Sequence, residues 1–202
     1  DGQSDMKALF THPAEALVLA RIPADVVARA QKIRLMVFDV DGVLTDGSLW
    51  YGEQGESLKR FHVLDGHGLK MLTASGIIVA LMTARDSVIL ARRGAELGLA
   101  HVYQGVRDKA ATLTKLASDE GVAPDAVGYM GDDLIDLAAM QRAGLAVSVP
   151  SAPAYVAQGA HWVTTAQGGQ GAVRECCDVM LAAQGKLGSF LQPGVSLPGA
   201  VQ

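Results

Sequence analysis

The chain has 202 residues, 50% of them hydrophobic, enough for one globular domain with a sizeable core. A formal net charge of −4 argues against nucleic acid or an anionic membrane surface as partner. No apolar run reaches the roughly 18 residues that span a bilayer, and "DGQSDMKALFTHP" has neither the basic nor the apolar stretch of a secretory signal, so none is expected there.

Residues 1–33 read as an N-terminal helical segment, "AEALVLARIPADVVARAQK", interrupted at Pro23. An α/β domain is expected over 34–190. Its first strand is "RLMVF" from Arg34, and Asp39 and Asp41 follow it. Next comes an insertion over about 46–64. "SLWY" and "SLKRFHV" are strand-like around a turn-like "GEQG", which predicts a β-hairpin. The same stretch also reads as an irregular surface loop. A helix "GLKMLTASG" leads to the strand "IIVALMT", then the helix "SVILARRGAELG" to the strand "HVYQ". The helix "DKAATLTKLASDEG" precedes the strand "AVGYM". The helix "DLIDLAAMQRAG" precedes "LAVSV", and "PAYVAQGA" precedes "HWVTT".

Most of these strands are continuously apolar, as strands buried on both faces are. Their alternation with helices that stop at Gly predicts a Rossmann-like, doubly wound parallel sheet. "GAVRECCDVMLAAQGKLGSFL" closes the domain as a helix, and the Gly- and Pro-containing residues 191–202 read as a flexible tail. Cys176 and Cys177 are adjacent and disfavoured as a disulfide. They are expected as ordinary, partly buried helix cysteines in a reducing, cytoplasmic compartment.

Four strands deliver polar groups to one sheet edge: Asp39 and Asp41, then Thr83 and Arg85, then Lys109, then Asp132, Asp133 and Asp136. Ligands of such sheets bind beyond the carboxyl ends of the strands. Carboxylates this close raise one another's pKa unless a cation lies between them. An all-oxygen set suits Mg2+, which takes one or two carboxylates plus a phosphate oxygen. One carboxylate can then attack phosphorus, and the other can protonate the leaving oxygen and activate water. Thr83 can hydrogen-bond a phosphoryl oxygen, and Lys109 can offset the charge of nucleophile and phosphate. Singly, each piece has a plainer use. D-x-D before Gly is turn chemistry, and "DD" at a helix start is capping, the role expected for Asp133.

Together, "FDVDGVLTDG", "TAR", "DK" and "GDDLID" resemble the four motifs of the haloacid dehalogenase superfamily of phosphatases, over about Leu35 to Val149. More narrowly, with "DGHGLKML" and "GDDLIDLAAM" added, they resemble the 3-deoxy-D-manno-octulosonate 8-phosphate phosphatases. Those enzymes make the free sugar acid during lipopolysaccharide biosynthesis. The resemblance implies Asp39 as nucleophile and Asp41 as general acid/base. It implies Mg2+ held by Asp39, the backbone oxygen of Asp41, and Asp132, with Asp136 in support. It also implies substrate contacts along His62 to Lys70, hence His62, Asp65, Gly66 and Lys70. Such relatives are expected to carry Asn-Val-Arg-Asp-Gly at the start of that stretch and Arg at its end. His62, Leu64 and Lys70 depart from that pattern.

Arg85, Arg93, Lys70 and Lys109 are placed to form an anion site for a small sugar phosphate that also carries a carboxylate. Arg92 and Arg93 adjoin on one helix, so only one faces the site, and the resemblance selects Arg93. No separate cap domain fits between the motifs. The hairpin's Leu49, Trp50, Tyr51 and Phe61 are more apolar than a free loop. That predicts packing against another subunit, and the resemblance implies a homotetramer with shared sites. The tail from Gln192 is a candidate lid. Rival readings are a nonulosonate 9-phosphate phosphatase, a non-catalytic sugar-phosphate-binding regulator, and a phospho-accepting receiver domain. The receiver needs its acceptor Asp after the third strand, where "HVYQG" has none.

Overall fold

Leu35–Phe38 form strand β1, with all four side chains buried. Its residues alternate between two cores, as a strand's period of two requires. Met36 and Phe38 face one and Leu35 and Val37 the other. The structure, a computed structural model, describes residues 12–194.

The sheet's other members are β4 (Ile78–Met82), β5 (His101–Tyr103), β6 (Val127–Met130), β7 (Leu145–Ser148) and β8 (Trp162–Val163); β2 and β3 belong to the hairpin. The order is β5-β4-β1-β6-β7-β8, and every pairing is parallel. One face packs against helices α1 (Pro13–Leu19), α2 (Ala24–Lys32), α3 (Val63–Ala74), α4 (Val88–Glu96) and α8 (Ala172–Ala183). The other packs against α5 (Lys109–Asp119), α6 (Leu137–Arg142) and α7 (Ala154–Ala157). This is the doubly wound α/β fold predicted. The winding reverses between β4 and β6, on either side of β1, so the crevice beyond β1 is the place for a ligand.

β2 (Trp50–Gly52) and β3 (Gly55–Leu58) pair antiparallel as a separate two-stranded sheet, with a register shift between Trp50 and Tyr51. The hairpin is therefore real, but its second strand stops at Leu58 rather than running to Val63. α3 starts at Val63, five residues before the predicted Gly68, because His62 Nδ1 accepts the Leu64 N–H at 3.1 Å and caps the helix. The predicted helix over "DLIDLAAMQRAG" divides into a 3-10 turn at Leu134–Asp136 and the short α6. The C-terminal helix ends near Gly185, and a 3-10 turn, Leu187–Leu191, follows. Pro23 separates α1 from α2 as expected.

Cys176 and Cys177 are fully buried in α8, not partly so as expected, and unpaired. Burial pushes both thiols up, away from the reactive thiolate. Residues 1–11 of the expected N-terminal segment and 195–202 of the expected tail lie outside the described residues. Among the described residues no helix is long and apolar enough to cross a membrane.

Candidate active site

Asp39 leaves the end of β1 with its N–H bonded to the Met130 carbonyl, which pins it to β6. Its carboxylate is buried and meets Lys109 Nζ at 2.8 Å. Lys109, the first residue of α5, also bonds Asp136 Oδ1 at 2.8 Å. Burial draws the Lys109 ammonium down, but Asp39 and Asp136 outweigh it and hold it above its usual value, so it stays charged. Burial and the neighbouring Asp136 raise Asp39 well above the usual carboxylate range, against the pull of Lys109. Burial is also the main reason Asp132 is raised, to about 6.

Oxygens of Asp39, Asp132 and Asp136 lie within 4.8 Å of one another. Lys109 is the cation paired with this cluster, one positive charge against three carboxyl groups. Asp136 has no lone pair to spare. Its Oδ1 accepts from Lys109 and Tyr129, and its Oδ2 accepts the N–H groups of Asp132 and Asp133 at 3.0 and 3.1 Å. A carboxylate has about four acceptor sites, and all are taken. Asp39 and Asp132 remain to face a cation, and no donor among the described residues reaches the Asp41 carbonyl oxygen. These oxygens fit a hard divalent ion such as Mg2+. Gly42 makes room for the arrangement: its φ is +90°, and an added β-carbon would lie 1.8 Å from Asp132 Oδ2. Asp133 caps the turn, accepting the Leu134 N–H, in a reciprocal box with Asp136.

Asp41 stands at the mouth, with its side chain 20% exposed. Its Oδ1 accepts from Lys59 Nζ at 2.8 Å, and its Oδ2 lies 4.0 Å from Arg85 Nε. Lys59 also meets Glu56, which pairs with Arg85 Nη2 at 3.1 Å. Arg85 Nη2 lies 3.3 Å from the Tyr51 hydroxyl. Thr83 is buried at the end of β4, and its Oγ1 accepts the Arg85 N–H at 3.2 Å. The site thus presents a carboxylate positioned to attack, a second carboxylate at the mouth, and hydroxyl and ammonium groups suited to a phosphoryl group.

Residues 95–175 match the family model of haloacid dehalogenase-like hydrolases. The 3-deoxy-D-manno-octulosonate 8-phosphate phosphatase KdsC of Escherichia coli (strain K12) is 46% identical over 166 residues, covering 82% of this chain and 88% of that protein. The chain belongs to this phosphatase family. A crystal structure of the enzyme from Yersinia pestis superposes with a TM-score of 0.80 at 46% identity, covering 82% of this chain and 89% of that one. The enzyme from Moraxella catarrhalis, solved with a magnesium ion, a phosphate ion and a KDO molecule, gives a TM-score of 0.80 at 41% identity, covering 83% and 96%.

The phosphatase-motif residues come together at this site, and the residues read as sugar contacts lie along α3 and its cap, with partners of their own. Asp65 is buried, and its Oδ1 accepts the Arg174 N–H at 2.9 Å, so it holds the start of α8. Gly66 clears space for Arg93, whose Nη2 would be 2.4 Å from a β-carbon there. Arg93 stacks 6.0 Å over the Phe61 ring and pairs with Glu96. Lys70 lies a turn further along α3, near His67. His62 spends Nδ1 on capping.

Sequence reasoning missed Lys59, Glu56 and Tyr129. A Lys and a Glu on a hairpin look like solvated strand residues, and a Tyr inside "VGYM" looks like core. Only Tyr129's place in a strand that ends in carboxylates hinted at its partner, Asp136.

Proposed function

We propose that the protein is a Mg2+-dependent phosphatase that hydrolyses 3-deoxy-D-manno-octulosonate 8-phosphate to the free sugar acid and phosphate in lipopolysaccharide biosynthesis. The observation that carries this is the convergence of Asp39, Asp41, Thr83, Lys109 and Asp132 at the ends of β1, β4 and β6 and the start of α5 in a chain of this family.

In this reading Asp39 is the nucleophile. Its free oxygen attacks phosphorus and forms an aspartyl-phosphate while Asp41 protonates the leaving sugar oxygen. Asp41 then takes a proton from water as that water attacks phosphorus and frees Asp39. Thr83 and Lys109 hold phosphoryl oxygens, and Arg85 joins them at the mouth. Asp39, Asp132 and the Asp41 carbonyl would hold Mg2+, with Asp136 and Asp133 fixing the Asp132 loop. The bound ion supplies charge neutralisation between phosphate and carboxylate.

A panel of phosphate esters tests the substrate. The octulosonate phosphate is expected to give the highest kcat/KM, with activity lost to a chelator and restored by Mg2+. A higher kcat/KM on phosphoserine, a hexose phosphate or a nonulosonate 9-phosphate would overturn the assignment. Asp41→Asn is expected to cut kcat by about 10²–10⁴, the usual worth of general acid–base help. Phosphate-release kinetics read it.

We also infer a cytoplasmic homotetramer whose neighbouring chains complete each site. The support is apolar surface: Leu49, Trp50, Tyr51 and Leu58 are exposed on the hairpin beside Asp41. Phe61 is not among them, since it packs on the core. The buried, unpaired cysteines accord with a reducing compartment. Light scattering at micromolar protein is expected to give a tetramer, and a monomer fully active on the sugar phosphate would refute the shared site.

A further inference from the structure

Lys59 is an unusual lysine. Its side chain is 3% exposed although it sits just past the end of a surface hairpin. Lysine is almost never this buried unless it is paired. Here its partners are Asp41 Oδ1 at 2.8 Å and both oxygens of Glu56, at 3.1 and 3.3 Å. Glu56 is in turn held by Arg85 Nη2 at 3.1 Å. The hairpin thus brings a braced cation against one chosen oxygen of Asp41, from 18 residues along the chain.

The other oxygen of Asp41 faces a different situation. Arg85 Nε lies 4.0 Å from Oδ2, too far for a hydrogen bond. That Nε is buried and has no hydrogen-bond partner. A buried donor left without an acceptor costs free energy, and an arriving oxygen relieves it. The space beside Oδ2 therefore suits a substrate oxygen, while Oδ1 is already committed.

We propose that Lys59 is a positioning residue: by holding Asp41 Oδ1 it makes Oδ2 the oxygen that exchanges the proton. This rests on the phosphatase reading above. In the first step Oδ2 gives its proton to the bridging ester oxygen as the P–O bond breaks and the Asp39–phosphorus bond forms. In the second, Oδ2 takes a proton from water as the water oxygen bonds phosphorus and Asp39 departs. Without Lys59 the Asp41 carboxylate turns about its broad, roughly two-fold χ2 torsion and presents either oxygen, or neither, to the leaving group. Because Lys59 directly follows β3 and is braced by Glu56 of that strand, the same contact makes hairpin placement a condition for catalysis.

The test compares Lys59→Met, Lys59→Ala, Lys59→Arg and Glu56→Gln with the unmodified protein, all with Mg2+ and the octulosonate phosphate. Lys59→Met is expected to lower kcat by about 10²-fold, the lower end of acid–base help, with KM changed less than about 3-fold and the oligomer and melting temperature retained. Ethylamine added to Lys59→Ala is expected to restore part of the lost kcat in a saturable way, which a merely structural lysine would not show. Lys59→Arg, which keeps a cation, is expected to retain more kcat than Lys59→Met. Should the neutral variants fail to fold, Lys59→Arg and Glu56→Gln carry the decision: both must lose kcat rather than KM. A kcat at the unmodified level in Lys59→Met, or a loss confined to KM, overturns the proposal. If the unmodified protein releases no phosphate, the phosphatase reading falls, and this inference with it.

Discussion

Asp39→Asn is expected to abolish steady phosphate release, because an amide is neither a competent nucleophile nor a good cation ligand. Its effect on stability should run the other way. Burial and Asp136 raise the Asp39 carboxyl in the folded protein. A carboxyl raised by folding is at no disadvantage below its unfolded value, where both states are protonated. Its cost to the fold sets in as pH rises through the unfolded value and is complete above the folded value, where the charge must be carried in the interior. Removing that charge should leave the metal-free variant at least as stable as the unmodified protein at neutral pH. The Asn side-chain oxygen can still accept from Lys109, so that ammonium keeps a partner. Thermal melts with and without Mg2+ check this: the variant should melt no lower than the unmodified protein without metal, and gain less on adding it. Residual activity above a few per cent would sink the covalent mechanism.

Lys109→Met should damage both fold and chemistry. Lys109 is buried and bridges Asp39 and Asp136, each at 2.8 Å. Methionine fills much of the same space but leaves two buried carboxylates facing one another. Breaking a buried pair by deleting one partner costs about 3–5 kcal/mol, which urea unfolding without metal would read. Mg2+ should recover part of the loss by supplying the missing positive charge. Turnover should remain down by about 10²–10³ even with metal, as when one preorganised donor to a developing anion is lost. Metal-free stability equal to that of the unmodified protein would mean that the cluster is already neutralised by protonation. That result would remove the argument for a cation drawn from uncompensated charge.

The sequence carried the fold through local signals. Apolar runs such as "LMVF" and "VGYM" can be satisfied only by strands covered on both faces, and intervening helical patterns force parallel crossovers. Because each motif follows its own strand, their order on the chain alone places Asp39, Thr83, Lys109 and Asp132 at one edge of the sheet. The glycine of "DVDGV" was legible as turn chemistry, but its contact with Asp132 was not, since the two are 90 residues apart.

Tertiary structure alone decided how each polar group spends its hydrogen-bonding capacity. Asp136 is saturated by four donors and becomes a scaffold, whereas Asp132 keeps its carboxylate available. Asp65 and Gly66 sit in a stretch read as substrate-contacting, yet one holds the start of α8 and the other makes way for Arg93. Nothing local to Lys59 or Glu56 points to their partners, Asp41 and Arg85, which lie 18 and 29 residues away along the chain. Strand and helix formation follow from patterns a few residues long. The partner of a charged side chain is set by distances between segments far apart in the chain, and those distances exist only once both cores have packed.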